Sequence, residues 1–148
     1  GQTAWSLRND SRVVLLERTN IRYLTPEKLF NHGDEIPDFA VADLSFISLK
    51  IVLPSFKALL SARSELLMLV KPQFEVGKDK VGKGGVVRDL YLHVEAIQGV
   101  VNESKKYGWY AKGLIASPLK GPAGNQEYLL WMGDEVSEYI EIEKILNC

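Results

Sequence analysis

Three ionisable residues stand at the ends of apolar runs that predict buried strands: Asp43, Lys71 and Glu127. Asp43 lies near the end of one run, Lys71 directly ends another, and Glu127 begins a third. A lysine between two carboxylates provides the groups needed to remove a proton from a weakly acidic alcohol. The sequence therefore predicts proton-transfer chemistry, provided that the fold brings the three residues together.

Lysine acts as a base only when its environment lowers its pKa from about 10.4 towards the working pH. Carboxylates favour the charged ammonium, so Asp43 and Glu127 alone would keep Lys71 protonated. Either a second lysine is missing, or Lys71 acts mainly through its charge. Each residue also has a simpler interpretation. Asp43 could cap the next helix, Lys71 could be a solvated strand end, and Glu127 could protect an edge strand.

The pattern of apolar residues predicts the elements that would position this site. The predicted strands are residues 12–17, 38–45, 64–72, 109–117 and 127–134, and the predicted helices are residues 1–9, 49–60, 89–107 and 135–146. This alternation predicts an α/β fold with a mostly parallel sheet, covered by helices, and one reversed strand at its edge. Ligands bind at the carboxyl ends of parallel strands, which is the rim where all three residues should lie.

Composition narrows the class of protein. A chain of 148 residues with 46% hydrophobic content predicts one globular domain. The net charge of -1 gives no general attraction to polyanions, so nucleic-acid binding would need a local basic patch or a partner module. Cys148 is the one cysteine, and His32 and His93 lack partners at ligand spacing, so we expect no disulfide and no metal. The low cysteine content predicts a cytoplasmic protein, and no apolar run approaches the roughly 20 residues of a membrane span.

Four segments carry a family resemblance: "ERTNIRYLTPE", "DLSFISLKIVLPS", "LVKPQFEVGKDKVGKGGVVRD" and "SPLKGPAGNQEYLL". They resemble the TlyA family, the hemolysin A-like ribosomal RNA methyltransferases related to the FtsJ ribose methyltransferases. The resemblance implies a Rossmann-like methyltransferase sheet with an antiparallel C-terminal edge hairpin. It also implies S-adenosylmethionine-dependent methyl transfer to a ribose 2′-hydroxyl, with ribosomal RNA or ribosomal subunits as partners. Residues 1–134 would form the C-terminal part of that domain, and residues 135–148 a peripheral tail.

The resemblance further implies a Lys-Asp-Lys-Glu tetrad. Asp43 in "VADLSFISL", Lys71 in "LVKPQFE" and Glu127 in "GNQEY" match three of its members. The first lysine would lie upstream of Gly1, and its charge would favour loss of a proton from Lys71 by like-charge repulsion. Asp43 and Glu127 would then orient the two lysines.

The same resemblance implies a cofactor site of which this chain holds only a part. Asn20 and Ile21 would lie near the adenine, and Asp43 and Leu44 near the reactive end. The first strands with their glycine loop, the acidic residue that binds the ribose and an S4-like RNA-binding module are expected upstream. On this basis we expect the chain alone to be inactive.

The loop after Lys71 is rich in cations and glycines. Lys78, Lys80, Lys83 and Arg88 predict contacts with RNA phosphates, and Gly77, Gly82, Gly84 and Gly85 predict a loop that can close over RNA. The simpler interpretation is a solvated basic loop without a binding role. The segment "GKDKVGKG" also approaches a phosphate-binding P-loop, but Gly84 replaces the Ser or Thr that would hold Mg²⁺.

Two other classes of protein stay open from the sequence. The chain could be a catalytically inert RNA-binding remnant, or it could be a hemolysin that lyses membranes, as the family's name suggests. The sequence shows no evident basic amphipathic helix of the kind that binds membranes. Methyl transfer to RNA by a chain extended upstream, and dye leakage from liposomes, would distinguish these functions.

Overall fold

The computed structural model describes residues 3–31, 33–136 and 142–147. The strands are β1 (Phe39–Ala42), β2 (Glu65–Val70), β3 (Tyr110–Ala116) and β4 (Tyr128–Gly133). The helices are α1 (Trp5–Arg8), α2 (Pro26–Leu29), α3 (Leu49–Leu59), α4 (Pro72–Glu75) and α5 (Leu90–Lys105). Short 3₁₀ turns occupy Ile21–Tyr23, Lys78–Lys80, Lys83–Gly85 and Ile142–Asn147. The fold class predicted from the sequence, α/β, is confirmed.

The four strands form one sheet in the order β1-β2-β4-β3. β1 pairs parallel with β2, whereas β4 pairs antiparallel with both β2 and β3. Three strands therefore point the same way, and the predicted antiparallel C-terminal hairpin is present at the sheet edge. The prediction that the reversed strand itself forms the edge is wrong. β3 forms this edge of the sheet instead, because β4 pairs with β2 on one side and with β3 on the other.

Helices α3 and α5 cover one face of the sheet and build the core. Alternate residues of β2 point to this face, so that Leu66, Met68 and Val70 are fully buried. Helix α3 begins at Leu49, as the sequence predicts. Ser48 caps it by accepting a hydrogen bond from the Lys50 N–H. α5 likewise begins after a capping aspartate. Burial of these apolar faces fixes the ends of the strands that carry the site.

The opposite face of the sheet stays largely open within the described residues. Phe39 and Val41 of β1 and Ile115 of β3 alternate with core residues and are more than half exposed, and Trp131 of β4 is 42% exposed. The prediction of a sheet covered by helices therefore holds for one face among the described residues. An apolar sheet face of this kind is normally buried in α/β proteins.

The predicted first strand, residues 12–17, is wrong. These residues form no strand and all of them are exposed. A strand is stable only when its backbone groups pair, and in the described part of the chain the sheet ends at β1 without reaching this segment. Of the helix predicted for residues 1–9, residues 1 and 2 lie outside the described part, and the described residues form only the single turn α1, which has no buried residue.

The tail is described only in part. The peripheral helix predicted for residues 135–146 appears from Ile142 as a 3₁₀ helix, and residues 137–141 lie outside the described part. Ile142 is buried in the main hydrophobic core. Among the described residues, no helix is both long and apolar enough to cross a membrane.

Candidate active site

Asp43 and Lys71 directly follow the ends of two neighbouring parallel strands. The Lys71 Nζ lies 2.6 Å from the Asp43 Oδ1 and donates a hydrogen bond to the Ser45 Oγ at 3.1 Å. Lys71 is buried, whereas the Asp43 side chain is 72% exposed. Two acceptors therefore orient the ammonium group, and the ion pair opens to solvent on the side of Asp43.

Glu127 lies at the same rim on the reversed strand. Tyr128, the first residue of β4, pairs with Val70, the last residue of β2. Glu127 directly precedes β4 and Lys71 directly follows β2, so the two residues lie at the same end of these adjacent strands. Glu127 is buried, and its Oε1 accepts a hydrogen bond from the Gln73 Nε2 at 3.0 Å. No ion pair joins Lys71 and Glu127 within the described residues. The structure thus brings Asp43 and Lys71 into contact and links Glu127 to the rim through α4.

A cleft of about 560 Å³ adjoins the Asp43–Lys71 pair. Its lining residues are Arg18, Thr19, Asn20, Ile21, Leu44, Ser45, Phe46 and Ile47. They include three of the four residues predicted to bind the cofactor, Asn20, Ile21 and Leu44. The fourth, Asp43, does not line the cleft but precedes Leu44 and binds Lys71. Ser45 belongs to the cleft and also accepts from Lys71, so the cleft and the ion pair share one residue.

Local interactions hold the far wall of the cleft in place. The Asn20 Oδ1 accepts from the Arg22 N–H at 3.0 Å and caps the turn Ile21–Tyr23. Ile21 packs against the main core, and the Ser55 hydroxyl donates to the Arg22 carbonyl at 3.4 Å. The irregular segment after residue 17 is therefore anchored on α3, although no strand precedes it.

Phe46 is a site residue that the sequence analysis missed. Its φ of 64° lies in the left-handed backbone region. Among the described residues, Arg18 is the one other non-glycine residue in that region. Such backbone costs about 1–3 kcal/mol and clusters at functional sites. The Phe46 ring is 91% exposed and lies 5.2 Å from the Phe74 ring. The sequence did contain a signal for Phe46, because an aromatic residue stands three positions after the predicted catalytic residue Asp43.

The basic loop, residues 77–88, leaves the rim directly after α4. Lys78, Lys83 and Arg88 are exposed and make no ion pair in the described part of the chain. Lys80 is also exposed but pairs with Glu95 on α5, so it is less available to a ligand than predicted. Three of the four predicted loop glycines, Gly77, Gly84 and Gly85, have positive φ, whereas Gly82 does not.

Asn125 ties the end of this loop to the turn that carries Glu127. The Asn125 side chain accepts from the Val87 N–H at 2.9 Å and donates to the Gly85 carbonyl at 2.8 Å. Asn125 is 2% exposed and Val87 is 3% exposed. The loop that carries the cations and the turn that carries the carboxylate are therefore held together.

His93 supports the same junction and has a structural role. Its Nε2 lies 2.8 Å from the Val87 carbonyl oxygen, and its Nδ1 lies 2.8 Å from the Tyr128 hydroxyl. A carbonyl can only accept, so the Nε2 donates; in the neutral imidazole, the Nδ1 then accepts from the hydroxyl. His32 lies outside the described residues. Among the described residues, no three His, Cys, Asp or Glu side chains cluster in a way that could hold a metal ion.

Replacing Asn125 by alanine should destabilise the fold by about 1–3 kcal/mol, because it leaves the buried Val87 N–H without a partner. The free energy of unfolding measured by urea titration checks this. Asn102→Ala is the matched control, since Asn102 is exposed on α5, and should change stability by less than about 0.5 kcal/mol. Equal effects of the two substitutions would contradict the structural role of Asn125.

Glu75, the last residue of α4, anchors the start of α3. Its carboxylate accepts from the Ser48 hydroxyl and the Leu49 N–H, both at 2.6 Å. Burial raises the pKa of Glu75 above its ordinary value, although these hydrogen bonds and Lys50 act in the opposite direction. Through this contact, α4 is fixed to the segment that follows Asp43.

The raised pKa of Glu75 predicts a pH dependence of stability. Because the folded protein binds the proton more tightly than the unfolded chain does, stability should fall as pH rises from the ordinary value of 4.5 through the folded pKa. Glu75→Gln stays neutral and should lose this slope. Urea titrations between about pH 4 and about pH 7 would measure it. The control is Glu35→Gln at an exposed position, which should keep the pH dependence of stability. If Glu75→Gln also keeps it, Glu75 is not its source.

The chain is similar to known proteins in sequence. Residues 1–134 match the FtsJ-like methyltransferase family. The chain is 54% identical over 132 residues to the 16S/23S rRNA (cytidine-2′-O)-methyltransferase TlyA of Mycobacterium tuberculosis, covering 89% of this chain and 48% of that protein. It is 38% identical over 128 residues to Hemolysin A of Brachyspira hyodysenteriae, covering 86% of this chain and 52% of that protein. The chain thus spans about half the length of these curated relatives.

A solved structure extends the similarity to the fold. The crystal structure of a protein described as a candidate hemolysin from Lactococcus lactis superimposes with a TM-score of 0.88 at 37% identity. The match covers 97% of this chain and 69% of that protein. The family predicted from the sequence motifs is therefore confirmed, and the chain belongs to the FtsJ-like methyltransferase family.

Proposed function

We propose that this chain forms part of the active site of an S-adenosylmethionine-dependent 2′-O-methyltransferase that acts on ribosomal RNA or ribosomal subunits in the cytoplasm. The observation that carries the proposal is the position of Lys71, which contacts both Asp43 and the cleft residue Ser45. The family match and the names of the rRNA methyltransferase relatives support it.

Lys71 is proposed to act on the ribose 2′-hydroxyl at the mouth of the cleft. Its ammonium group can stabilise the negative charge that develops on the 2′ oxygen during attack. Asp43 and Ser45 fix the direction of the Nζ. A cation supplied from upstream, as the tetrad implies, would favour the neutral amine, which could then accept the hydroxyl proton. Glu127 would complete the site from the neighbouring strand.

The cleft fits the adenosine part of S-adenosylmethionine. Its volume lies within the usual range of roughly 300–1,000 Å³ for ligand pockets. It combines the apolar side chains of Ile21, Leu44 and Ile47 with the amide of Asn20 and the hydroxyl of Ser45. These groups suit a flat, uncharged base, and Asp43 and Leu44 would adjoin the reactive end. When bound, S-adenosylmethionine supplies the methyl group on its sulfonium.

RNA is proposed to approach from the basic loop. Lys78, Lys83 and Arg88 would contact phosphates, and Lys80 could do so only in competition with Glu95. The exposed Phe46 ring offers a surface on which an unstacked base could lie.

The test is S-adenosylmethionine binding by calorimetry, followed by methyl transfer to ribosomal RNA. Both assays compare this chain with a version extended upstream to the length of the curated relatives. We expect the extended chain to bind and to methylate a ribose, and this chain alone to bind weakly or not at all. If the extended chain neither binds the cofactor nor methylates ribosomal RNA, the proposal is wrong. Dye leakage from liposomes under the same conditions would instead favour membrane lysis.

A further inference from the structure

We propose that Gln73 and Gly121 are positioning residues for methyl transfer, because together they fix the carboxylate of Glu127. The inference rests on the proposed function and adds two residues to it. Neither residue belongs to the Lys-Asp-Lys-Glu set, and neither was singled out from the sequence.

Gln73 holds Glu127 from one side. Its Nε2 donates to the Glu127 Oε1 at 3.0 Å, although the two residues are 54 positions apart in the chain. A carboxylate only accepts hydrogen bonds, so the amide nitrogen must face it and the amide oxygen must point away. That oxygen, the Gln73 Oε1, is buried and is the one buried side-chain polar atom without a partner among the described residues.

An unpaired buried acceptor normally costs about 1–3 kcal/mol. The orientation of the Gln73 amide is therefore not explained by a partner of its oxygen. It is explained by the N–H that its nitrogen donates to Glu127. A buried polar group left unsatisfied in this way needs an explanation, and a catalytic role is one of the recognised ones.

Gly121 leaves the space that the carboxylate occupies. A Cβ atom at this position would lie 2.5 Å from the Glu127 Oε1 and 3.2 Å from its Cδ. The φ of Gly121 is outside the left-handed region, so the backbone would accept alanine. Space for the Glu127 side chain therefore accounts for the glycine, because an added methyl group would push the carboxylate away from its present position.

The same short segment places both catalytic candidates. Lys71 immediately precedes α4, and Gln73 is the second residue of that helical turn. Because α4 is a single turn, the Gln73–Glu127 hydrogen bond sets the place of Glu127 relative to Lys71. Glu75 at the other end of the turn fixes α4 to the start of α3.

Kinetics of the extended chain test the proposal. Gln73→Leu removes the donor and Gly121→Ala displaces the acceptor. Each should lower kcat about 10-fold or more, since small misplacements of reacting groups can cost as much as about 100-fold. The KM values for cofactor and RNA should change little. Unchanged kcat in both variants would overturn the proposal.

Matched controls separate positioning from general damage. Gln98→Leu removes a similar amide hydrogen bond, to Asn102 on α5, and Gly99→Ala adds a methyl group whose nearest neighbour would lie 3.5 Å away. Both controls should keep kcat near the wild-type value. In a Glu127→Ala background, Gln73→Leu should cause no further loss, because Gln73 acts through Glu127. An equal loss in that background would show that Gln73 acts independently, and would overturn the proposal.

A measurement that does not depend on activity distinguishes failure of this inference from failure of the proposed function. The carboxyl ¹³C signal of Glu127 should move in both Gln73→Leu and Gly121→Ala, and should stay in place in the two controls. A Glu127 signal that is unchanged in both variants overturns the positioning role, whether or not the extended chain methylates RNA.

Discussion

Replacing Lys71 by alanine in the upstream-extended chain is expected to lower kcat for methyl transfer by about 10²–10⁴-fold, the usual contribution of a general acid or base. Cofactor affinity should change little. Lys71 reaches the cleft only through the hydroxyl of Ser45, and the cleft walls are built by other residues. Calorimetry and single-turnover methylation of ribosomal RNA would measure the two quantities separately.

Lys71→Arg tests what the lysine does. Arginine keeps the positive charge next to Asp43 but cannot give up a proton at working pH. If Lys71 acts only through its charge, Lys71→Arg should retain much more activity than Lys71→Ala. If Lys71 accepts the hydroxyl proton, the two variants should be similarly inactive.

Lys57→Ala is the matched control for this experiment. Lys57 is exposed on α3, near the ring of Trp109 and away from the cleft. Its substitution should leave kcat unchanged. Wild-type kcat in Lys71→Ala would contradict the assigned role of Lys71.

The Asp43–Lys71 pair could be predicted because each residue follows a strand that the sequence marks clearly. Both strands are short apolar runs, and their parallel pairing places their carboxyl ends side by side. The cap of α5, Asp89, was also predictable, since capping depends on residues that are neighbours in the sequence, whereas α3 is capped by Ser48 and not by Asp43.

Contacts between distant segments were not predictable. Residues 12–17 have the composition of a buried strand, but composition does not show whether a pairing partner is present. The hydrogen bond from Gln73 to Glu127 and the clash that a side chain at Gly121 would cause both depend on the register of β2 and β4. The left-handed backbone of Phe46 depends on the turn between β1 and α3.

The basic loop provides a prediction about RNA affinity. Replacing Lys78, Lys83 and Arg88 by alanine should remove up to three phosphate contacts. Each lost contact should reduce the slope of log K against log[salt] by about 0.7–0.9. The triple variant should therefore bind RNA more weakly at low salt. It should also lose roughly 30-fold less affinity than the wild type between about 50 and 200 mM salt.

The design of this experiment follows from the position of the cations in the fold. Lys78, Lys83 and Arg88 belong to the loop that Asn125 holds beside Glu127, so phosphates bound there lie next to the proposed reaction site. Lys80 is left unchanged, because its ion pair with Glu95 would complicate the effect.

The control carries the same change of charge at the opposite end of the sheet. Lys57, Arg63 and Lys105 are exposed near the C-terminus of α3, the start of β2 and the C-terminus of α5. Their replacement by alanine lowers the net charge equally but should leave the salt slope close to the wild-type value. If both triple variants change the slope alike, RNA responds to overall charge, and the loop has no specific role. If only the loop variant does so, the cations that follow Lys71 guide RNA to the rim where Lys71 and Glu127 lie.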